Sequence, residues 1–181
     1  MNTNMFRWAP IAALSLSAAA CASVPESASE RIALIGESEK ALAMMEQKDP
    51  SLEDVLDDAE AYAVFPTVGE GAFIAGATLG DGVVYSGEEV MGYVQLAEGS
   101  IGAQIGGQEY SQLIVFQTDD SVQRLKAGNF DFSADASATA VTSGAAVKAN
   151  AESGVLVLVD DEDGLMAEAS VGGQRIYYEA R

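Results

Sequence analysis

The side chains of this sequence that could do chemistry are few, and their types exclude more than they suggest. No histidine occurs, which removes Ser-His-Asp and Cys-His catalysis, an imidazole zinc site and any side chain that ordinarily titrates near neutral pH. The lone cysteine, Cys21, excludes an intrachain disulfide and a CxxC cluster. Neither GxSxG nor SxxK is present to supply an activated serine. Gly71-Ala72-Phe73-Ile74-Ala75-Gly76-Ala77-Thr78 has the spacing of a phosphate-binding loop, but Ala77 stands where the lysine must reach the phosphates. Val159-Asp160-Asp161-Glu162-Asp163-Gly164 is composed like the start of an EF-hand loop, yet Val159 takes the first ligand position and Ser170 the twelfth, where a bidentate Glu belongs; an acidic hairpin turn is the better reading. The runs Asp57-Asp58 and Asp160-Asp161 read as solvated acidic faces. No catalysis, metal or other cofactor is expected.

The charge balance narrows the partners. With 28 Asp and Glu against 9 Lys and Arg, the net charge is -19, and a nucleic-acid backbone would find no clustered cations to hold it. The chain is 49% apolar and 20% charged, values of a folded domain with an acidic surface. Its 181 residues suit one domain of ordinary size.

The start of the chain reads as an address. Arg7 precedes an apolar stretch from Trp8 to Ala20, about 13 residues, too short to span a bilayer and the right length for an export signal. Leu16-Ser17-Ala18-Ala19-Ala20-Cys21 resembles the lipobox of bacterial lipoproteins, although Ala18 stands where Leu is commoner. That resemblance implies that Cys21 receives a diacylglyceryl group and becomes the mature N-terminus. Ala22, where Asp would favour the inner membrane, implies the outer membrane and a domain facing the periplasm. The expected division is a signal peptide over 1–20, a lipidated tether over 21–28 and a domain over 29–181. The mature chain would then have 161 residues (181 - 20), 28 acidic and 8 basic (9 - 1), for a side-chain charge of -20. Between Cys21 and a helix start near Ser29 the tether reaches roughly 25 Å.

Proline and glycine divide the remainder. All prolines lie at or before Pro66, and every glycine except Gly36 lies beyond it. From Ser27 to Gln47, Ile32, Ile35, Leu42 and Met45, flanked by Leu34 and Ala41, recur at helical spacing. Ser51-Leu52-Glu53-Asp54 has the form of a capping box opening a second short helix. Strands are expected over 62–65, 72–78, 83–85, 91–97, 101–108, 112–118, 155–159, 165–171 and 175–178. Phe130, Phe132, Ala134, Ala136, Ala138 and Ala140 alternate with polar residues as a further strand. Its alanine row would let a helix approach closely or line a cavity for an apolar ligand. Gly80-Asp81-Gly82, Asp163-Gly164 and Gly172-Gly173 are expected as turns, and Gly102 with Gly106 as relief of crowding in a strand. Asp119 to Ala127 reads as one inserted helix ended by Gly128. The fold class is therefore α+β: two N-terminal helices packed on a strongly curved, mainly antiparallel sheet, with one short helix inserted.

Four blocks in order carry a wider resemblance: AYAVFPTVGEGAFIAGATLGDGVV (Ala61 to Val84), SIGAQIGGQEYSQLIVF (Ser100 to Phe116), LKAGNFDFSADASATA (Leu125 to Ala140) and GLMAEASVGGQRIYY (Gly164 to Tyr178). Together they resemble the SYLF family of lipid-binding domains over about Ser51 to Tyr178. Eukaryotic members are associated with phosphoinositide membranes and actin regulation, and bacterial members are mostly secreted or lipid-anchored. The resemblance implies a lipid- or membrane-interacting module and not a catalyst. The chain departs from the pattern at Gly92-Tyr93-Val94-Gln95, where the family commonly has Trp-Ser followed by Pro. It departs again between Ser27 and Ala61, where Arg31, Lys40 and Lys48 face ten acids, a net of -7 (3 - 10), in place of the family's basic stretch. Such a segment is repelled by anionic lipid. Arg124, Lys126, Lys148 and Arg175 are the remaining candidates for lipid contact. The partners to expect are a membrane reached through the acyl anchor, a lipid ligand and an envelope protein meeting the acidic surface.

Overall fold

Ser27 starts the first helix through a reciprocal cap. Its hydroxyl accepts from the Glu30 amide at 3.2 Å while the Glu30 carboxylate accepts from the Ser27 amide at 3.0 Å. The computed structural model describes residues 25, 27–70, 77–99, 109–128, 130–131, 154–161, 164–167 and 174–181. Helix α1, Ala28–Lys48, buries Leu34, Ser38, Ala41 and Met45. Ile32, expected on that face, is 71% exposed. At about 100° per residue it lies roughly 200° around the helix from Leu34. Ser38 takes the central buried position and donates to the Val64 carbonyl at 3.4 Å. The short helix α2, Leu52–Asp57, forms where expected, but without the capping box: Ser51 is itself helical, and its amide and hydroxyl donate to Asp49 Oδ1.

Eight strands follow, β1 Ala61–Glu70, β2 Ala77–Ser86, β3 Glu89–Gly99, β4 Tyr110–Phe116, β5 Phe130–Asp131, β6 Val155–Asp161, β7 Gly164–Ala167 and β8 Gln174–Ala180, with helix α3, Asp119–Lys126, between β4 and β5. They form one sheet in the order β5-β8-β3-β2-β1-β4-β6-β7, and every described pairing is antiparallel. The class is thus α+β, with three helices among the described residues.

Strand β1 runs past Pro66, where a strand end was expected. Against β2 the register steps from Val64↔Val83 to Thr67↔Asp81, so Phe65 and Pro66 together oppose Gly82. This bulge is what accommodates proline in a central strand. The Pro66 carbonyl accepts from the Ser111 hydroxyl at 2.7 Å. The bulge also corrects the expected turn at Gly80-Asp81-Gly82, which lies inside β2. A Cβ at Gly82 would sit 2.7 Å from the Val64 carbonyl oxygen, and one at Gly80 2.9 Å from the Val68 side chain. Close approach, not chain reversal, requires these glycines. The reversal comes later, between Ser86 and Glu89, where Gly87 has φ +56°. At the acidic run from Val159, Asp161 of β6 lies opposite Gly164 of β7, and Glu162 and Asp163 lie outside the described residues.

Both sheet faces are covered. On one, Leu34, Ala41 and Met45 of α1 and Leu52 of α2 pack with Tyr62, Val64, Leu113, Val115, Leu156 and Leu158. On the other, Val122 and Leu125 of α3 pack with Phe65, Ile114, Phe116, Phe130, Val157 and Ile176. This is why β4 and β6 read as continuous apolar runs. Residues 71–76, with most of the expected strand at 72–78, the expected strand at 101–108 with Gly102 and Gly106, the alanine row from 134 to 140 and Gly172-Gly173 lie outside the described residues.

Candidate functional site

Helix α3 places two of the basic candidates. Thr118 and Ser121 form its capping box, and Gly128 at φ +80° ends it. Arg124 pairs with Asp120 at 3.2 Å and lies 5.3 Å over the Phe130 ring, while Lys126 is exposed in the last turn. Arg175 is exposed on β8, opposite Asp131 of β5. Arg124 and Arg175 lie near the β5–β8 edge of the sheet, but not on the same face. Ile176 points into the core under α3, so its neighbour Arg175 points to the other side. The sheet therefore separates Arg175 from Arg124. Cys21 and Lys148 lie outside the described residues.

A further basic residue, Arg31, read from the sequence only as one cation in an acidic segment, joins several elements. Its Nε donates to the Pro25 carbonyl at 2.8 Å, its Nη2 donates to Glu179 Oε1 at 2.7 Å, and its guanidinium lies 4.7 Å over the Tyr93 ring. One side chain thus joins the residues ahead of α1, the helix itself, β3 and β8. At the other end of α1, Lys48 pairs with Asp160 of β6 at 2.5 Å. The 17 residues from Arg31 to Lys48 rise about 26 Å. Five strand spacings, from β8 to β6, span about 24 Å. The helix therefore crosses the sheet and is tied at both ends. No local pattern marks either pair, since the partners are 148 and 112 residues away in sequence.

Beneath the middle of α1 the Tyr62 and Tyr85 rings stack at 5.3 Å. Tyr62 donates to the Gly87 carbonyl at 2.9 Å, whereas the Tyr85 hydroxyl is buried with no hydrogen-bond partner among the described residues. Burial above all, then the charge of Glu39, pushes the Tyr85 phenol far above its ordinary pKa. Tyr62 is raised by burial and then by Glu46 and Glu88, and Glu46 by burial and then by Glu53. Phenols held neutral in this way are poor acid–base groups at neutral pH. Among the described residues no three acidic side chains are grouped to hold a metal ion, and no helix is long and apolar enough to cross a membrane.

Residues 97–180 match the model of the Ysc84 family, described as "Las17-binding protein actin regulator". The matched stretch runs from the end of β3 through α3 to β8 and includes Arg124, Lys126 and Arg175. The resemblance drawn from Ser51 onward is thereby met from residue 97. No curated protein matches the chain at a significant level.

Proposed function

We propose, from the premise that residues 97–180 are a SYLF-family domain, that this chain is a lipid-anchored protein of the bacterial envelope whose domain interacts with lipid or membrane and catalyses nothing. The family match is the observation that carries the reading, because the SYLF family is linked to lipid and membrane interaction. The lipobox-like run ending in Cys21 supports the anchor, and Ala22 supports the outer membrane with the domain on the periplasmic side. The want of histidine, and of a serine beside a base in the usual motifs, supports a non-catalytic role. A strongly curved sheet belongs to the same reading, supported by the edge-to-face contact of Phe116 on β4 with Phe130 on β5, although four strands separate them in the sheet order. Lipid contacts by Arg124, Lys126, Lys148 or Arg175 would act as separate points of charge, since Arg124 and Arg175 flank opposite faces.

A second reading, protein interaction, is favoured by the family description itself, which names a bound protein. It would use the acidic surface to meet a basic partner, with association weakened by salt.

The anchor is tested by Cys21→Ser, which should abolish fatty-acid labelling and release the protein to the soluble fraction; labelling that persists would end the lipoprotein reading. Flotation of protein starting at Ala22 tests the domain. A chain this acidic should bind anionic vesicles weakly and be helped by salt. Tight binding that salt abolishes would favour a local basic site instead.

A further inference from the structure

The short link between the anchor and Arg31 points to one corner of the domain as its membrane-facing surface, and this inference rests on the anchor proposed above. The chain is held at Pro25, ahead of the helix start. The Pro25 carbonyl is held by Arg31 Nε, and Arg31 is fixed in turn by Glu179 and the face of Tyr93. Four residue steps from Cys21 to Pro25 reach at most roughly 14 Å. A bilayer attached at Cys21 therefore lies against the end of the sheet where α1 begins over β3 and β8, with little room to turn.

That corner carries two of the three exposed large apolar side chains among the described residues, Ile32 at 71% and Tyr177 at 39%. Ile32 follows Arg31 on α1. Tyr177 lies two residues before Glu179, on the same face of β8, and Arg175 two residues before Tyr177. Two acids at the corner are engaged, Glu30 by the Ser27 amide and Glu179 by Arg31, which lowers their repulsion from a headgroup layer. An aliphatic side chain, a tyrosine and an arginine are the residue types that settle at the boundary between headgroups and acyl chains. The third exposed apolar residue, Met44, lies 12 residues further along α1 from Ile32, about 18 Å away along the axis. We propose that Ile32, Tyr177 and Arg175 form the contact with the bilayer surface, oriented by the Arg31–Pro25 link.

The test uses the full-length, membrane-extracted protein carrying Ile32→Cys, Tyr177→Cys or Met44→Cys, each labelled with an environment-sensitive fluorophore and reconstituted into phosphatidylethanolamine–phosphatidylglycerol vesicles containing brominated acyl chains. An acylated Cys21 has no thiol, so only the introduced cysteine takes the label. Quenching should be at least twofold stronger at 32 and 177 than at 44. In an Arg31→Gln background, which frees Pro25, that ratio should fall towards one. A thiol found on Cys21 of the unsubstituted protein overturns the anchor and the surface together. A blocked Cys21 with equal quenching at all three sites, or with 44 the strongest, overturns the surface alone.

Discussion

Gln112 and Gln174 exchange their side-chain amides. Gln112 donates to Gln174 Oε1 at 3.0 Å, and Gln174 donates back to Gln112 Oε1 at 3.4 Å. The two side chains are 0% and 3% exposed. They stand on β4 and β8, with β1, β2 and β3 between them in the sheet order. Flat strands at that separation would be about 19 Å apart. The pair therefore joins two regions of the sheet that strand pairing does not bring together, and it does so with buried polar groups.

Gln112→Met should cost about 1–3 kcal/mol in chemical denaturation, because the amide of Gln174 then remains buried without that partner. The double variant Gln112→Met with Gln174→Met should cost less than the sum of the two single changes. Strict additivity would mean that the two amides do not depend on each other.

Three glycine-to-alanine changes should differ in sign and size. Gly82→Ala brings a methyl group within 2.7 Å of the Val64 carbonyl and 2.8 Å of the Phe65 ring, and overpacking of this kind costs about 1–3 kcal/mol. Gly87→Ala meets no atom but keeps φ +56°, at a cost of about 1 kcal/mol. Gly36→Ala, in open space on α1, should stabilise by roughly 0.5–1 kcal/mol. Thermal melts of the three variants check the order.

Lys48→Met should destabilise more than Arg124→Met. Lys48 leaves behind Asp160, whose side chain is 8% exposed, whereas the Asp120 partner of Arg124 is 84% exposed. A largely buried carboxylate left without its partner costs about 1–3 kcal/mol, and a surface pair contributes about 0–1 kcal/mol. Equal losses would show that Asp160 draws its support from elsewhere.

Alkaline titration should separate the tyrosines. The folded-state pKa of Tyr85 is raised, as are those of Tyr62 and Tyr178, so the unfolded chain ionises first. Stability should be retained below about pH 10 and lost as pH rises beyond it. Phenolate absorbance should show these groups ionising together with unfolding, and Tyr85→Phe should shift the alkaline midpoint upward. A midpoint that stays in place would remove Tyr85 as the cause.

At the acidic end, Glu46 has its folded pKa raised from 4.5, first by burial and then by Glu53. The favourable difference is present below that ordinary value and is lost as pH rises through the folded one. Glu46→Gln should therefore leave acid stability unchanged and raise neutral-pH stability by about a few tenths of a kcal/mol, the small size reflecting solvent screening at a site only partly buried. Denaturation curves at the two pH values compare them.

The sequence by itself determined the elements whose signals are local. The helical period from Ser27 marked α1 to within a residue, Gly128 marked the end of α3, and the apolar runs at Leu113 and Val155 marked strands that the sheet buries on both faces. Periodicity and termination need only neighbours along the chain. Tertiary structure decided everything that needs a distant partner. Gly80 and Gly82 have turn composition, and only the bulge at Pro66 pressing against them shows why they lie inside a strand. Ile32 has the hydrophobicity of a core residue, but the sheet lies on the side of Leu34, so the polar Ser38 is buried in its place, with Val64, 26 residues away, as its acceptor. Arg31 and Lys48 carry the same charge as Lys126, and nothing in their local sequence shows that they tie the two ends of α1 to β8 and β6. A side chain's type states which contacts it can make, and the folded chain alone decides which partners come within 3 or 4 Å, where hydrogen bonds and ion pairs exist.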